Sequence, residues 1–474
     1  MKRGVALQTI LVLLLGGPAN IFADGGAAVD RLPPVLSLSE AIQFGLNHYP
    51  AIRTAVARVS AAQSGVDLSR TAYLPRIEVG YQANRATFNN VSGLWFFNAW
   101  TQPISGPDLG KRSYASAWGS SAGVGAGWEP FDFGLRAANV EAARSVERQA
   151  HAEISLTQLQ VGAGVGEAFL TLVAAQETMQ AMKADVDRRQ IFTDTVGVLV
   201  KNRLRPGVEA SRAMAELAGA RTRLIQAEQT QEIARARLAE VLGVAGERVD
   251  IQATPLVTLP RAASLEPTSL IAHPLAKTQE ATAEVFRRRK EAWDRAWVPK
   301  VMVQGSFFGR GSGWDAEGNH ASGLNGLGPD AANYAGGLTF SFSVFDVAAI
   351  RANRQTEAHR EEAERARYAE VMQELRGADA RARAVMDGAR RVAENTPIQV
   401  DAAQQTEGQA RARYQAGLAN VVEVAEAQGL LVQASVDDAL ARLGVWHALL
   451  GSATALGNLQ PFLDLLQLSS EGGH

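Results

Sequence analysis

The second half of this chain repeats the order of motifs found in the first half, and this duplication constrains the fold more than any other feature. Segment 73–77, YLPRI, is echoed by segment 297–301, WVPKV, with residue numbers that differ by 224. Segment 131–132, FD, returns as segment 345–346, at a difference of 214. Matches that keep their order along most of a chain predict two copies of one structural unit.

Each half is predicted to contain a helix, two strands, a long helical run, a tight tip loop and a return helix. The predicted units are a signal peptide at 1–23, a first repeat at 24–266, a second repeat at 267–460 and a C-terminal tail at 461–474. The predicted strands are 76–88, 117–131, 300–310 and 334–345, and the predicted tip loops lie near 203–208 and 415–420. The helical runs, about 135–201 and 349–415, would each be roughly 100 Å long. We expect Pro397 to kink or interrupt the second run.

The N-terminus has the pattern of a secretory signal peptide. Lys2 and Arg3 precede a short apolar run at residues 5–15, and small residues lead to a cleavage site near Ala23. This run is too short to cross a bilayer, and no later stretch approaches about 18 consecutive apolar residues. We therefore predict that the protein is exported and that, if it enters a membrane, it does so as β-strands.

The predicted strands alternate between apolar and polar residues. In the first strand Ile77, Val79 and Tyr81 alternate with polar side chains, and the fourth strand alternates in the same way. Each strand is about as long as a tilted membrane strand, which takes about 9–11 residues. A half-buried strand of a soluble sheet has the same alternation, so this pattern leaves both interpretations open.

Four strands cannot close a barrel, and open sheet edges are not tolerated in hydrocarbon. A membrane location therefore requires several subunits to share one barrel. Two copies would give eight strands and an interior filled with side chains, whereas three copies would give twelve strands and an open lumen. The alternative is a periplasmic structural or adhesive stalk made of long helices with a small soluble sheet.

Composition disfavours most other functions. The chain has no cysteine, which removes thiolate metal sites and cysteine nucleophiles, and its net charge of -2 does not favour nucleic-acid binding. Its seven histidines are scattered without metal-ligand spacing. The glycines at 162–166 lie inside a helical run, and those at 309–313 have no Lys-Ser/Thr to bind phosphate. We predict no enzyme activity and no cofactor.

The motifs together resemble those of TolC-type outer-membrane efflux proteins. The motifs are EPFDFG at 129–134, SVFD at 343–346, and YQAG at 414–417 followed by EVAEA at 423–427. The resemblance covers about residues 36–460. It implies an α+β membrane protein, a homotrimer that shares a twelve-stranded barrel in outer-membrane lipid and a long helical barrel in the periplasm. It also implies a passive exit duct of a tripartite efflux or type I secretion system, docked to a periplasmic adaptor and, through it, to an inner-membrane pump.

The resemblance implies an acidic constriction at the helical tip. The acidic positions, six and nine residues after Gly417, are Glu423 and Glu426, with glutamates in place of the usual aspartates. A spacing of three puts both carboxylates on one helix face, so a three-fold axis would gather six of them into a cation-attracting ring. The alternative is two solvated glutamates on an exposed helix.

Other tip residues are also implied by the resemblance. Tyr414 matches the tyrosine of the family's closing network, and Glu209 takes the acidic position in the first half. Ala419 stands where the family has an arginine, so the bonding pattern must differ. Arg203 stands where the repeat places a glycine, and we expect the sharp turn to have moved to 205–207. The predicted adaptor contacts are Leu204, Arg205, Pro206, Gly207, Gly417 and Leu418, although ordinary turn chemistry also explains Pro-Gly.

At the other end, the loops at 89–115 and 311–333 are expected to be extracellular. Tyr81, Trp118, Trp128 and Tyr334 are candidates for an interfacial aromatic belt. The lumen-facing residues are generic, and the sequence does not specify the cargo.

Overall fold

The computed structural model describes residues 32–87, 114–260, 269–314, 319 and 321–471. The predicted signal peptide and most of the first predicted extracellular loop lie outside the described residues. Both halves of the chain share the order helix, two strands, long helix and return helix, and the first half has an additional helix at its start and the second an additional helix at its end. The first half contains α1 (Leu38–His48), α2 (Pro50–Arg70), β1 (Arg76–Thr87), β2 (Ser116–Phe131), α3 (Leu135–Lys201) and α4 (Gly207–Leu242). The second contains α5 (Pro274–Trp293), β3 (Lys300–Ser312), β4 (Ala331–Ser341), α6 (Asp346–Gln415), α7 (Val421–Leu456) and α8 (Gln460–Glu471).

The two longest helices dominate the architecture. Helix α3 has 67 residues and α6 has 70, so each extends about 100 Å at about 1.5 Å per residue. Each forms an antiparallel pair with the shorter helix that follows it, α4 or α7. These pairs place the two tip loops at the end of the molecule far from the sheet.

We predicted that Pro397 kinks or interrupts the second helical run. The interruption is wrong, because α6 continues through Pro397, and the kink stays a prediction. A proline removes one backbone hydrogen bond from a helix, but tertiary packing can offset that cost. The preceding residue, Thr396, is buried against α7, where its hydroxyl donates to Asp438 at 2.8 Å. On the other side of the proline, Ala403 packs with Leu431 and Ala434 of α7, so packing on α7 supports α6 both before and after Pro397.

The largest hydrophobic core lies where α1, α3, α4, α7 and α8 meet. Ile42, Phe169, Leu238, Trp446 and Phe462 are fully buried there. Among the described residues, α3 is the one helix long and apolar enough to cross a membrane by length and composition. Most of its apolar window is buried inside the protein, so core packing explains that composition.

The C-terminal segment also belongs to this core. We predicted a C-terminal tail at 461–474 without assigning it a structure; α8 covers 460–471, and Phe462, Leu463 and Leu466 are buried. Their i, i+1, i+4 spacing places them on one helical face. The segment is a packed helix.

The four strands form one antiparallel sheet in the order β1-β2-β3-β4. Paired positions give one row of Val79, Val124, Phe307 and Tyr334 on one face. The next row, on the opposite face, holds Glu78, Gly125, Ser306 and Ala335. The predicted alternation is therefore confirmed by the register, with one apolar and one largely polar face.

The apolar face of the sheet is exposed within the chain. Ile77, Val79, Phe307 and Phe340 each expose about two thirds of their surface, at 65%, 72%, 64% and 69%. A contiguous exposed apolar surface marks an interaction with another apolar phase. In the described part of the chain, the outer edges of β1 and β4 pair with no further strand.

The predicted end of the fourth strand is wrong. We placed the strand at 334–345, whereas β4 runs from Ala331 to Ser341. Ser341 pairs with Lys300, the first residue of β3, and Pro299 before it has no backbone N–H to continue the ladder. Apolar alternation continues to Val344 without a partner strand, so the pattern could not mark where pairing stops.

Candidate functional site

The two tip loops turn by the same left-handed backbone conformation at equivalent positions. Gly417 has a φ of 79°, and Arg203, which the repeat aligns with it, has a φ of 56°. Our expectation that the turn had moved to 205–207 is therefore wrong. Gly207 is instead the first residue of α4, with Pro206 as its N-cap. The local geometry of the repeat persists even though arginine is strained there.

Tyr414 is the centre of a polar cluster that joins the two tip loops. Its hydroxyl donates to Glu209 Oε2 at 2.9 Å, and Arg205 Nη2 donates to its backbone carbonyl at 2.8 Å. The Arg205 guanidinium lies 4.6 Å from the centroid of the Tyr414 ring. Arg205 Nη1 is 3.8 Å from Glu209 Oε1. A phenol, a carboxylate and a guanidinium thus bind one another across the loops.

The Tyr414 side chain is buried at the end of an apolar cluster. It is 1% exposed, and the ring of Phe192 meets it edge-on at 5.2 Å. Burial, together with the adjacent Glu209 carboxylate, raises the pKa of Tyr414 to about 12, and the Arg205 charge opposes this shift. The phenol is therefore a neutral hydrogen-bond donor throughout the physiological pH range. Tyr414 packs in this apolar cluster with Phe192, Val196, Ala213, Ala410, Ala419, Val421, Val424 and Ala427.

The two predicted constriction glutamates lie on α7, apart from the Tyr414 cluster. Glu423 is 3.3 Å from Arg413, and its backbone N–H donates to the capping side chain of Asn420. Glu426 is exposed and lines a cleft of about 390 Å³ between α3, α4 and α7. Arg413 therefore partly compensates the charge of Glu423.

Comparison with known proteins identifies the family to which this chain belongs. The outer membrane efflux protein family matches residues 41–244 and 274–458, which is most of the chain. The chain belongs to the outer membrane efflux protein family. The predicted α+β fold, with long helices and four strands in each chain, and the outer-membrane location, with the helices in the periplasm, are confirmed. The shared trimeric barrel stays a prediction.

Individual relatives of this efflux protein are distant. It is 32% identical to Protein CyaE of Bordetella pertussis over 236 residues, which cover 49% of this chain and 43% of that protein, so the match spans less than half of the relative. Its fold is similar to that of CusC, with a TM-score of 0.72 at 15% identity, covering 89% of this chain and 92% of that chain. The open state of the Neisseria gonorrhoeae MtrE outer membrane channel gives a TM-score of 0.69 at 19% identity, covering 89% of both chains.

The predicted adaptor contacts lie at the tip of this efflux protein. Leu204 and Leu418 are 68% and 72% exposed, and Pro206, Gly207 and Gly417 are also exposed. Arg205 is less exposed, because its guanidinium binds Tyr414 and Glu209. The sequence did not assign Arg205 to the polar cluster.

Sequence reasoning also missed a buried ion-pair network beside Glu426. Arg189 Nε donates to both oxygens of Asp185 at 2.9 and 3.0 Å, and its Nη1 is 3.2 Å from Glu216. The i, i+4 spacing of Asp185 and Arg189 is a usable signal, but many surface pairs in this chain share it. Burial, which the sequence does not reveal, distinguishes this pair.

Proposed function

We propose that the protein is a homotrimeric channel and the passive exit duct of a tripartite efflux or type I secretion system. The observation that carries this proposal is the sheet, which exposes an apolar face and has two edges without a partner strand among the described residues. Three copies supply twelve strands, which remove all edges and leave an open lumen. Lipid then covers the apolar face, and the largely polar face lines the water-filled interior.

The periplasmic end of this duct closes at the tip. The Tyr414, Glu209 and Arg205 cluster links the end of α6 to the loop before α4 and to the first turn of α4, so it holds the two helical hairpins of one protomer together. Separation of the hairpins would have to break these bonds. We infer that the cluster stabilises the closed state of the tip.

The same tip attracts cations in the closed state. Around a three-fold axis, Glu423 and Glu426 supply six carboxylates near the entrance. Because Glu423 is paired with Arg413, Glu426 contributes the larger share of the negative potential.

The tip also provides the surface for a periplasmic adaptor. Leu204, Val208 and Leu418 expose apolar side chains at the loops, at 68%, 72% and 72%. Such exposed apolar groups on a loop favour docking of another protein. The energy for transport comes from an inner-membrane pump that is reached through the adaptor.

Purification of the mature chain in detergent tests this proposal. We expect a trimer that resists heating in SDS and that forms ion-conducting channels in planar bilayers. A stalk would instead give a water-soluble, heat-sensitive monomer without channel activity. That outcome would overturn the channel function, and the exposed apolar face of the sheet would then need another partner.

A further inference from the structure

The glycines at 309–313, which do not match a phosphate loop, lie at the far end of β3 from the helices. Gly309 pairs with Ala122, which pairs with Tyr81, and Gly311 pairs with Ser120. The alternation of the strand puts Gly309 and Gly311 on the same face as Phe307, the apolar face. The apolar face of the sheet therefore has a stripe without side chains at the end of β3 that is far from the helices.

Residues 321–330, which lead into β4, fold back onto this stripe. A Cβ atom on Gly311 would lie 2.1 Å from the carbonyl oxygen of Gly328, and one on Gly309 would lie 2.9 Å from Pro329 Cβ. A Cβ atom on Gly313 would lie 2.8 Å from the carbonyl oxygen of Asn325. These approaches are too short for any other residue, so the stripe is a seat for this segment.

Hydrogen bonds fix the segment in its seat. The hydroxyl of Tyr81, which lies on β1, donates to the backbone carbonyl of Leu327 at 2.8 Å. At the two ends, Ala321 N–H donates to the Gly313 carbonyl at 2.8 Å, and Asp330 N–H donates to the Arg310 carbonyl at 2.9 Å. The segment is thus held at both ends and at its middle.

The side of the wall on which the segment lies determines its effect on transport. The apolar face is the outside of the barrel, so the segment is seated away from the lumen. The chain tethers this ten-residue segment to β3 and to β4, so its reach is about half of its extended length of about 33 Å, which is enough for a released segment to move from the outer face toward the mouth of the barrel. We propose that residues 321–330 act as a clasp that is held outside the barrel wall and keeps the channel exit clear. This proposal rests on the proposed trimeric channel.

Two valine substitutions on one strand test the clasp. Gly311→Val cannot accommodate Gly328, whereas a Cβ atom at Gly305, on the same strand and face, is 3.9 Å from its nearest neighbour, the Ala335 carbonyl oxygen. Because the chain has no cysteine, Leu327→Cys in each background gives one site for a membrane-impermeant maleimide. We expect Gly311→Val to speed labelling at residue 327 and to lower the single-channel conductance or add closures. Gly305→Val is expected to change neither.

The possible results separate the clasp from the channel. Unchanged labelling in Gly311→Val would show that the seat does not hold the segment, and faster labelling with unchanged conductance would show that the segment does not guard the exit. Either result overturns the proposal. If no variant and no unsubstituted protein conducts, the channel function itself fails, and the labelling contrast still reports on the seat. If Gly311→Val does not assemble, Gly309→Val is judged by the same two measurements.

Discussion

In the proposed closed tip, the Tyr414 hydroxyl group links the end of α6 to the first turn of α4. Tyr414→Phe keeps the ring beside Arg205 but leaves the Glu209 carboxylate without its phenol donor. We expect a loss of about 1 kcal/mol in the stability of the tip and a larger channel conductance. Planar-bilayer recordings measure the conductance, with Tyr334→Phe on the outward face of β4 as the control. Equal conductance in Tyr414→Phe and the unsubstituted protein would show that the polar cluster does not stabilise the closed state.

The same hydroxyl predicts a dependence on alkaline pH. The pKa of Tyr414 is raised to about 12 in the folded protein, above the usual value of about 10 for an unfolded tyrosine. The stabilisation is therefore fully present below pH 10 and is lost as the pH rises toward 12. The melting temperature of the unsubstituted protein should fall more steeply across this range than that of Tyr414→Phe. If the melting temperatures of the two proteins fall in parallel with pH, groups other than Tyr414 cause the pH dependence.

Arg203 keeps the left-handed turn of the repeat although glycine, the residue that fits this conformation without strain, is replaced by arginine. A non-glycine residue with φ of 56° is strained, by about 1 kcal/mol. We expect Arg203→Gly to raise the thermal stability of the protein, measured by calorimetry. Gly417→Arg at the equivalent position should lower it by a similar amount. A destabilised Arg203→Gly variant would show that the arginine side chain compensates for the strain.

At the scale of elements, His273 joins the start of α5 to the end of α7. Its Nδ1 accepts from Leu275 N–H at 3.0 Å, and its Nε2 is 3.2 Å from the carbonyl oxygen of Thr454, to which it donates as the neutral tautomer. Burial lowers the pKa of His273, so the stability that it contributes as a neutral ring is present above about pH 6.5 and is lost as the pH falls below it.

Hydrogen exchange tests this junction. At pH 5.5, we expect faster amide exchange in the first turn of α5 than at pH 7.5, after correction for intrinsic rates. His273→Asn keeps a good N-cap without a titrating ring, so its protection should change less between the two values. An identical pH response in both proteins would remove His273 as the cause.

The elements themselves were largely predictable because their signals are periodic. The bounds of α3 and the polar and apolar faces of the strands follow from local patterns that hold over many residues. The end of β4, the continuity of α6 at Pro397 and the packing of α8 were not predictable, since each depends on a distant partner element. At the tip, the family resemblance suggested Tyr414 and Glu209, but only the fold shows that Arg205 binds both.

At the scale of the whole molecule, the proposed trimer makes the carboxylates of α7 act together. We expect Glu426→Gln to weaken the block of channel current by divalent cations, because it removes three charges near the axis. Glu423→Gln should weaken the block less, since Arg413 already pairs with Glu423 at 3.3 Å. Bilayer recordings with Mg²⁺ on the periplasmic side measure both effects. Unchanged block in the double variant would exclude the acidic ring.

The unpaired edges of β1 and β4 have a consequence for biogenesis. Each exposes backbone groups that hydrocarbon cannot satisfy, so a solitary protomer has no stable resting place within the bilayer. In the proposed trimer, three newly exported chains must therefore meet before insertion is complete, and a chain that left the closed barrel would expose these edges to hydrocarbon again. A mutation that prevents the outer edge of β1 or β4 from pairing would also inactivate the two normal chains in the same trimer. Such mutations should therefore be dominant negative in cells that also express the normal protein.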